Sequence, residues 1–215
     1  MNQNQFAKRT AMTIVGVLLC AFSVAVFMHS EFGLDPFQCA SQGIYRAFSG
    51  KLSYGTFYML WSFVLLIIDL FLDRSQIGVT TFANLFLLGY MVDWSKKLLD
   101  SLIPSPSLVV RILLLILGVV IVCISASLYF TSNQGVSVYD AISKGLSARG
   151  FSIAGHVIPF KYIRIGTDVI CVLIGLAFGL LPGIGTLISA FFMGPLIDWF
   201  CVHFAQPLLG EEKAA

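Results

Sequence analysis

Apolar residues run almost unbroken over 10–28, 53–72, 76–95, 108–130, 162–181 and 184–205. Each run is close to the ~20 residues that a helix needs to cross ~30 Å of hydrocarbon, so the pattern predicts membrane-crossing helices at all six. Two stretches break this pattern. Residues 33–50 and 135–150 mix polar and apolar positions at helical spacing, and each reads as a short helix. Asp35 and Ser137 suit a helix cap, Pro36 a first turn, and Gly50 and Gly150 a stop. About 14 residues at ~1.5 Å each give ~21 Å, so such a helix crosses only if loops extend it or the protein shelters its ends.

The same pattern is written twice. At a constant offset of 102, Gly16, Ser23, Ser30, Gly33, Ser41 and Gly43 recur as Gly118, Ser125, Ser132, Gly135, Ser143 and Gly145. Further on, Ile77-Gly78 answers to Ile184-Gly185, and Gly89 with Asp93-Trp94 answers to Gly194 with Asp198-Trp199. The reading is of two tandem membrane repeats, 1–100 and 108–215, joined by a linker at 101–107. Each holds three long transmembrane helices and one short polar-faced helix, in an all-α integral membrane fold. Binding sites of duplicated membrane proteins tend to lie between the repeats.

Whether the short helices cross decides how the halves are related. If both cross, the chain has eight segments and parallel halves, and Lys8, Arg9, Arg46, Lys51, Lys96, Lys97, Arg111, Arg149, Lys161 and Lys213 collect at the cytoplasmic side. If neither crosses, six spans remain, the short helices are re-entrant and the halves are inverted. The charge count favours eight, with a cytoplasmic N-terminus. Lys8-Arg9 before the first span then mark an uncleaved signal anchor rather than a signal peptide.

Composition agrees with a bilayer as solvent. The chain is 58% hydrophobic and 11% charged, against about 25% charged residues in soluble domains. Five cysteines without CxxC or Cys/His spacing read as small buried hydrophobes, with no metal site among them. A net charge of +2 without a basic stripe gives a nucleic-acid role no support. No HExxH, GxSxG or Walker motif occurs, so neither an enzyme nor a cofactor is expected.

The candidate chemistry sits on the short helices and on the span after the second. Gln38, Ser41, Gln42 and Tyr45 form one helical stripe; Asp140, Ser143, Lys144 and Ser147 repeat it. Polar groups at membrane depth are costly unless they meet a partner or line a wet cavity, so the two stripes are expected to face each other there. Lys161, Arg164 and Asp168 share a face of the next span, and Arg164 suits two-point recognition of a carboxylate or phosphate. The substrate-binding set is therefore Gln38, Ser41, Gln42, Asp140, Ser143, Lys144, Arg164 and Asp168. Two structural alternatives stay open: Asp140 with Lys144 and Arg164 with Asp168 as ion pairs, and the serines as helix-packing groups. Gly89/Asp93-Trp94 and Gly194/Asp198-Trp199 read as architectural, and Asp69 and Asp73-Arg74 as solvated turn residues. His29, His156 and His203 read as interfacial. Glu31 and Asp35 make the outer mouth mildly acidic.

Gly33-Leu34-Asp35-Pro36-Phe37-Gln38, Gln42-Gly43-Ile44, Leu52-Ser53-Tyr54-Gly55-Thr56, Ile77-Gly78-Val79-Thr80 and Gly89-x-x-x-Asp93 follow one another in order. In these motifs the chain resembles the YczE/YyaS/YitT group of bacterial multi-span membrane proteins. Gly183-Ile184-Gly185-Thr186 and Gly194-x-x-x-Asp198 repeat two of them; Val79 before Thr80 and Val138 in place of a proline depart from the pattern. The resemblance implies a multi-pass protein of the bacterial inner membrane and supplies neither substrate nor catalytic residues. The leading expectation is a small secondary transporter or permease for a polar or anionic small molecule bound between the repeats. The alternative is an accessory or scaffold subunit, with its partner or a homo-oligomer left open; a membrane enzyme ranks last.

Overall fold

The computed structural model describes residues 3–48, 52–150, 152–153, 156–157 and 160–210. Gly50, Lys51, Lys213 and the side chains of His156 and Lys161 lie outside the described residues. The chain runs through α1 (Gln3–Ser30), short α2 (Pro36–Ala47), α3 (Tyr54–Leu72), α4 (79–102), α5 (Leu108–Ser132), short α6 (Val138–Ala148), α7 (Phe160–Ala177) and α8 (Ile184–Leu209). α4 joins Val79–Ala83 to Gly89–Leu102 through a π turn, Asn84–Leu88, and α8 contains a second π turn, Cys201–Ala205. A two-residue antiparallel hairpin, β1 (Ser152–Ile153) with β2 (His156–Val157), precedes α7.

The caps fall where the side chains call for them. Asp35 accepts from the Gln38 N–H at 3.1 Å and Ser137 from the Asp140 N–H at 3.1 Å, satisfying donors that a helix start leaves open. Gln5–Ser30, Tyr54–Leu72, Leu108–Ser132 and Ile184–Leu209 are long and apolar enough to cross a bilayer. The other two predicted spans also form helices, but charge interrupts their hydropathy: Asp93, Lys96, Lys97 and Asp100 in α4, and Arg164 and Asp168 in α7.

The outer surface differs from that of a soluble bundle, although the core remains largely apolar. On α3 the buried stripe is Tyr58, Ser62, Leu65, Leu66 and Asp69, while Leu60, Phe63, Val64, Ile67 and Phe71 face outward. Polar side chains are drawn inward and large apolar ones left on the outside, as a hydrocarbon solvent requires.

α1 and α5, which carry the recurring glycines and serines, pack along their whole length and run antiparallel. Arg9 donates to the Ser132 carbonyl (2.9 Å), Ser125 Oγ to the Gly16 carbonyl (2.8 Å) and Arg111 Nε to the Ser30 carbonyl (2.9 Å). The parallel relation expected from eight crossings is therefore not found. α4 runs parallel to α1, with Thr80 beside Thr13 and Asp100 beside His29.

The two short helices begin next to each other. Phe37 and Tyr139, each in a first turn, stack with centroids 4.7 Å apart and rings within 9° of parallel. From there the helices diverge. Gly43 of α2 packs on Gly175 and Phe178 at the end of α7, and Gly145 of α6 packs on Leu72 and Asp73 at the end of α3. Arg149 closes α6 by donating to the carbonyls of Phe71 and Leu72. Each short helix thus returns to the end of the bundle at which the preceding long helix delivered it.

The loops before the short helices lock onto the opposite half in matched fashion. Thr80 N donates to the Gln134 carbonyl (3.0 Å) and Gly185 N to the Phe32 carbonyl (2.8 Å). Thr81 Oγ1 donates to the Val136 carbonyl (2.7 Å), and Thr186 Oγ1 accepts from Leu34 N (3.2 Å). A Cβ at Gly78 would lie 2.3 Å from the Gln134 oxygen and one at Gly183 1.9 Å from the Phe32 oxygen, so neither site has room for a side chain. Gly33 and Gly135 take φ of +120° and +86° in these loops, conformations that favour glycine. The docking also corrects the sequence register. Gly78 answers to Gly183 and Thr81 to Thr186, so Gly78-x-x-Thr81 needs no inserted Val79.

Candidate functional site

Arg164 of α7 stands between two buried carboxylates. Its Nη1 pairs with Asp140 Oδ1 on α6, and its Nε lies 3.5 Å from Asp168 Oδ1 one turn along α7. Tyr129 (2.8 Å) and Ser137 (2.7 Å) donate to the other Asp140 oxygen. The Tyr139 hydroxyl donates to Asp168, and its ring lies under the guanidinium, 4.5 Å from centroid to Cζ. Ser143 and Thr167 are hydrogen-bonded at 3.0 Å. Charged pairs removed from water persist only with this density of compensating hydrogen bonds.

This cluster forms one wall of a cavity of about 280 Å³. Asp35 and Pro36 at the start of α2, Arg164 and Asp168 on α7, Phe130 on α5, and Ser189, Gly194, Pro195 and Asp198 on α8 border it. Pro195 sits inside α8, where it deprives the backbone of a hydrogen bond. Phe130 also borders a second, wider opening, with Arg9, Thr131, Asn133, Cys201 and Gln206, at the end of the bundle where the chain begins. One aromatic ring, with Lys144 Nζ 4.4 Å from its centroid, thus borders both the cavity and this second opening, a vestibule.

The eight residues expected to bind substrate separate into groups. Arg164 and Asp168 line the cavity, and Asp140 stands directly behind Arg164. Ser143 bonds to Thr167 rather than to the cavity, and Lys144 lies over Phe130 while Asp140 pairs with Arg164 rather than with Lys144, the structural alternative for it. On α2, Gln38 accepts from Tyr54, the Gln42 amide points at the Met28 sulfur (4.0 Å), and Ser41 Oγ is buried without a partner. The polar stripes therefore do not face each other. Each turns to long helices beside it, and the groups that meet are Phe37 and Tyr139, the off-stripe aromatics.

Matched contacts set the correspondence between halves. With Leu72 against Gly145 taken as the counterpart of Phe178 against Gly43, counting back along α3 and α7 puts Tyr58 opposite Arg164, Trp61 opposite Thr167, and Ser62 opposite Asp168. Where the second half has Asp140, Arg164 and Asp168, the first has Gln38, Tyr58 and Ser62. Tyr58 is fully buried and donates to Asn84 Oδ1 at 3.1 Å.

Several other positions take their roles only in the fold. Asp93 accepts from Gly55 N at 2.9 Å and Gly89 packs on Gly55, so this pair is architectural; Asp198, its counterpart, borders the cavity instead. Tyr129, Tyr139 and Phe130 complete the site without any distinctive spacing to announce them. Asp69 is not a solvated turn residue. α3 continues to Leu72, which leaves Asp69 a turn inside the helix, 1% exposed and with neither oxygen hydrogen-bonded. Asp73 alone is at the turn, where hydrogen bonds from Ser75 hold its carboxyl below the usual range.

A model of a family of unknown function, DUF6198, matches residues 7–202. An uncharacterized protein of Haemophilus influenzae is 22% identical over 205 residues, covering 93% of this chain and 88% of the relative. No solved structure matches. The YczE/YyaS/YitT resemblance has no counterpart in these matches, which speak for an uncharacterised family.

Proposed function

This chain belongs to the DUF6198 family, and we propose that it is a small secondary transporter whose solute binds in the cavity beside Arg164. The observation that carries this reading is the meeting of a largely apolar cavity, a buried ion cluster on its wall and the start of a short helix at one point. Solute sites at the junction of inverted repeats, flanked by interrupted helices, have this character. The membrane arrangement that goes with it is six crossings, α1, α3, α4, α5, α7 and α8, with α2 and α6 re-entrant and the halves inverted. Support comes from the antiparallel α1/α5 pair and from the return of each short helix to the end it left.

The solute class narrows from the sequence-based expectation. Arg164 is already paired with two carboxylates, and Asp35, Asp168 and Asp198 border the same space. A purely anionic solute would displace a carboxylate from Arg164 and meet the others. A small solute carrying a protonated amine, alone or with its own carboxylate, matches the wall better. Phe130 is the barrier on its way to the vestibule.

Gly194 borders the cavity and a Cβ there meets nothing within 4 Å, so Gly194→Leu places a bulky side chain at the cavity's edge without a clash. The test is a panel of small amines, amino acids and organic acids, read by thermal shift of the purified chain and by uptake into vesicles. The expected result is a solute that stabilises and enters with the wild type but not with Gly194→Leu. Identical behaviour of both proteins across the panel would refute the proposal. Labelling of Arg46→Cys, Arg74→Cys and Ala148→Cys with an impermeant maleimide tests the arrangement. Six crossings put residue 46 on one face and 74 and 148 on the other, whereas eight would group 46 with 148.

A further inference from the structure

Asp69 is the buried carboxylate that the site above does not use. It lies on the inward stripe of α3 with Ser62, Leu65 and Leu66, and both its oxygens are buried without a hydrogen-bond partner. Asp140 and Asp168 are held by Arg164 and by tyrosine hydroxyls. The charged groups around α3 are committed elsewhere. Arg149 of α6 and Arg74 donate to backbone carbonyls, Lys144 of α6 lies over Phe130, and Asp73 takes Ser75 and Gln76. Asp93 and Tyr90 of α4 and Tyr45 of α2 face the opposite end of the helix, around Gly55, Thr56 and Leu52. Among the described residues, Asp140 is the charged group whose field acts on Asp69, and its charge has the same sign.

An ionised carboxylate in this position would have neither water, nor a donor, nor a counter-ion, a cost that is avoided by taking up a proton. The geometry points to Asp69 as a proton-binding site, loaded from the bundle end where Asp73 stands one turn away. Resting on the transport reading above, it makes the proton the coupling ion, held on α3 against the re-entrant α6 and separate from the solute cavity. The correspondence between halves agrees with a dedicated role, because the position opposite Asp69 is Gly175, which packs directly on Cys39 of α2. Packing at this level thus needs no acid.

The test uses the full chain in lipid vesicles and dicyclohexylcarbodiimide, an apolar reagent that adds to protonated carboxyls, with the modified residue located by peptide mass spectrometry. The expected result is labelling of Asp69 near neutral pH, lost on raising the pH, with Asp140 and Asp168 unlabelled. A protonated-carboxyl infrared band that shifts in heavy water should disappear in Asp69→Asn. No labelling of Asp69 at any pH, or labelling of Asp140 or Asp168 in its place, overturns the assignment. In vesicles with an identified solute, Asp69→Asn should exchange solute yet fail to accumulate it against a gradient when a proton gradient is imposed. Undiminished proton-driven accumulation overturns the coupling role. The labelling result needs no solute, so it stands or falls separately from the transport proposal.

Discussion

The regions around α2–α3 and around α6–α7 carry different side chains at the positions that the recurring sequence pattern pairs. Around α2 and α3 the positions are neutral: Gln38 meets Tyr54, Tyr58 meets Asn84, and Tyr58 fills the interior. Around α6 and α7 they are ionic, Arg164 between Asp140 and Asp168, beside an open cavity. The neutral half shows that packing at these positions does not require charge. Burying three ions where a glutamine, a tyrosine and a serine also serve is a desolvation cost that the architecture does not demand. The transport proposal accounts for such a cost by a role in binding, whereas the accessory-subunit reading has to account for it by helix packing alone.

Breaking the ionic half should have the largest effect. Arg164→Met strands two buried carboxylates and should cost about 3–5 kcal/mol of stability, measured by unfolding of the purified protein in detergent. Copying the neutral half into the ionic one, by Asp140→Gln, Arg164→Tyr and Asp168→Ser together, should recover most of that loss while abolishing solute binding. If the triple variant is no more stable than Arg164→Met, the neutral set cannot replace the ionic one.

Next come the glycines at which each half grips the other. Gly78→Ala and Gly183→Ala each force a Cβ against a carbonyl oxygen and should cost about 1–3 kcal/mol or more. Similar losses at both positions in thermal unfolding would support matched docking, and tolerance at either would break the match. The smallest effect separates two serines at equivalent positions. Ser143→Ala removes a hydrogen bond to Thr167 and should cost about 1 kcal/mol, whereas Ser41→Ala deletes an orphaned hydroxyl and should be neutral or slightly stabilising. Equal losses for the pair would mean that Ser41 has a partner, such as water.

Much of the site was legible before the fold was known. Arg164 and Asp168 stood out as charges in an apolar run, and Asp140 as a repeat position turned acidic. Helical spacing places residues on a common face but does not say which neighbour that face meets, so the stripes were expected to converge when their off-stripe neighbours Phe37 and Tyr139 do so instead. Asp69 was misread because Asp73-Arg74 signals a turn and a carboxylate one helical turn before it was grouped with them, although the predicted run itself reached residue 72. The repeat register slipped at Ile77-Gly78 because similar letters lie two residues away from the pair that tertiary docking matches. Tyr129 and Phe130 had no signal at all, being ordinary aromatics in an apolar helix.

Sequence alone determined the solvent, the positions of the long and short helices, their caps and the recurrence of one pattern in both halves. These are properties of local spacing and of how much apolar surface each segment carries, and they can be summed residue by residue. Only the tertiary structure decided that α1 and α5 run antiparallel and that the two short helices start side by side and end against α7 and α3. A helix of intermediate length can cross or return at similar local cost, and counting basic residues weighs loops without knowing what the segments touch. The choice rests on contacts between residues far apart in the chain, Phe32 with Gly185, Gln134 with Thr80 and Phe37 with Tyr139, whose energies exist only once both halves are folded together.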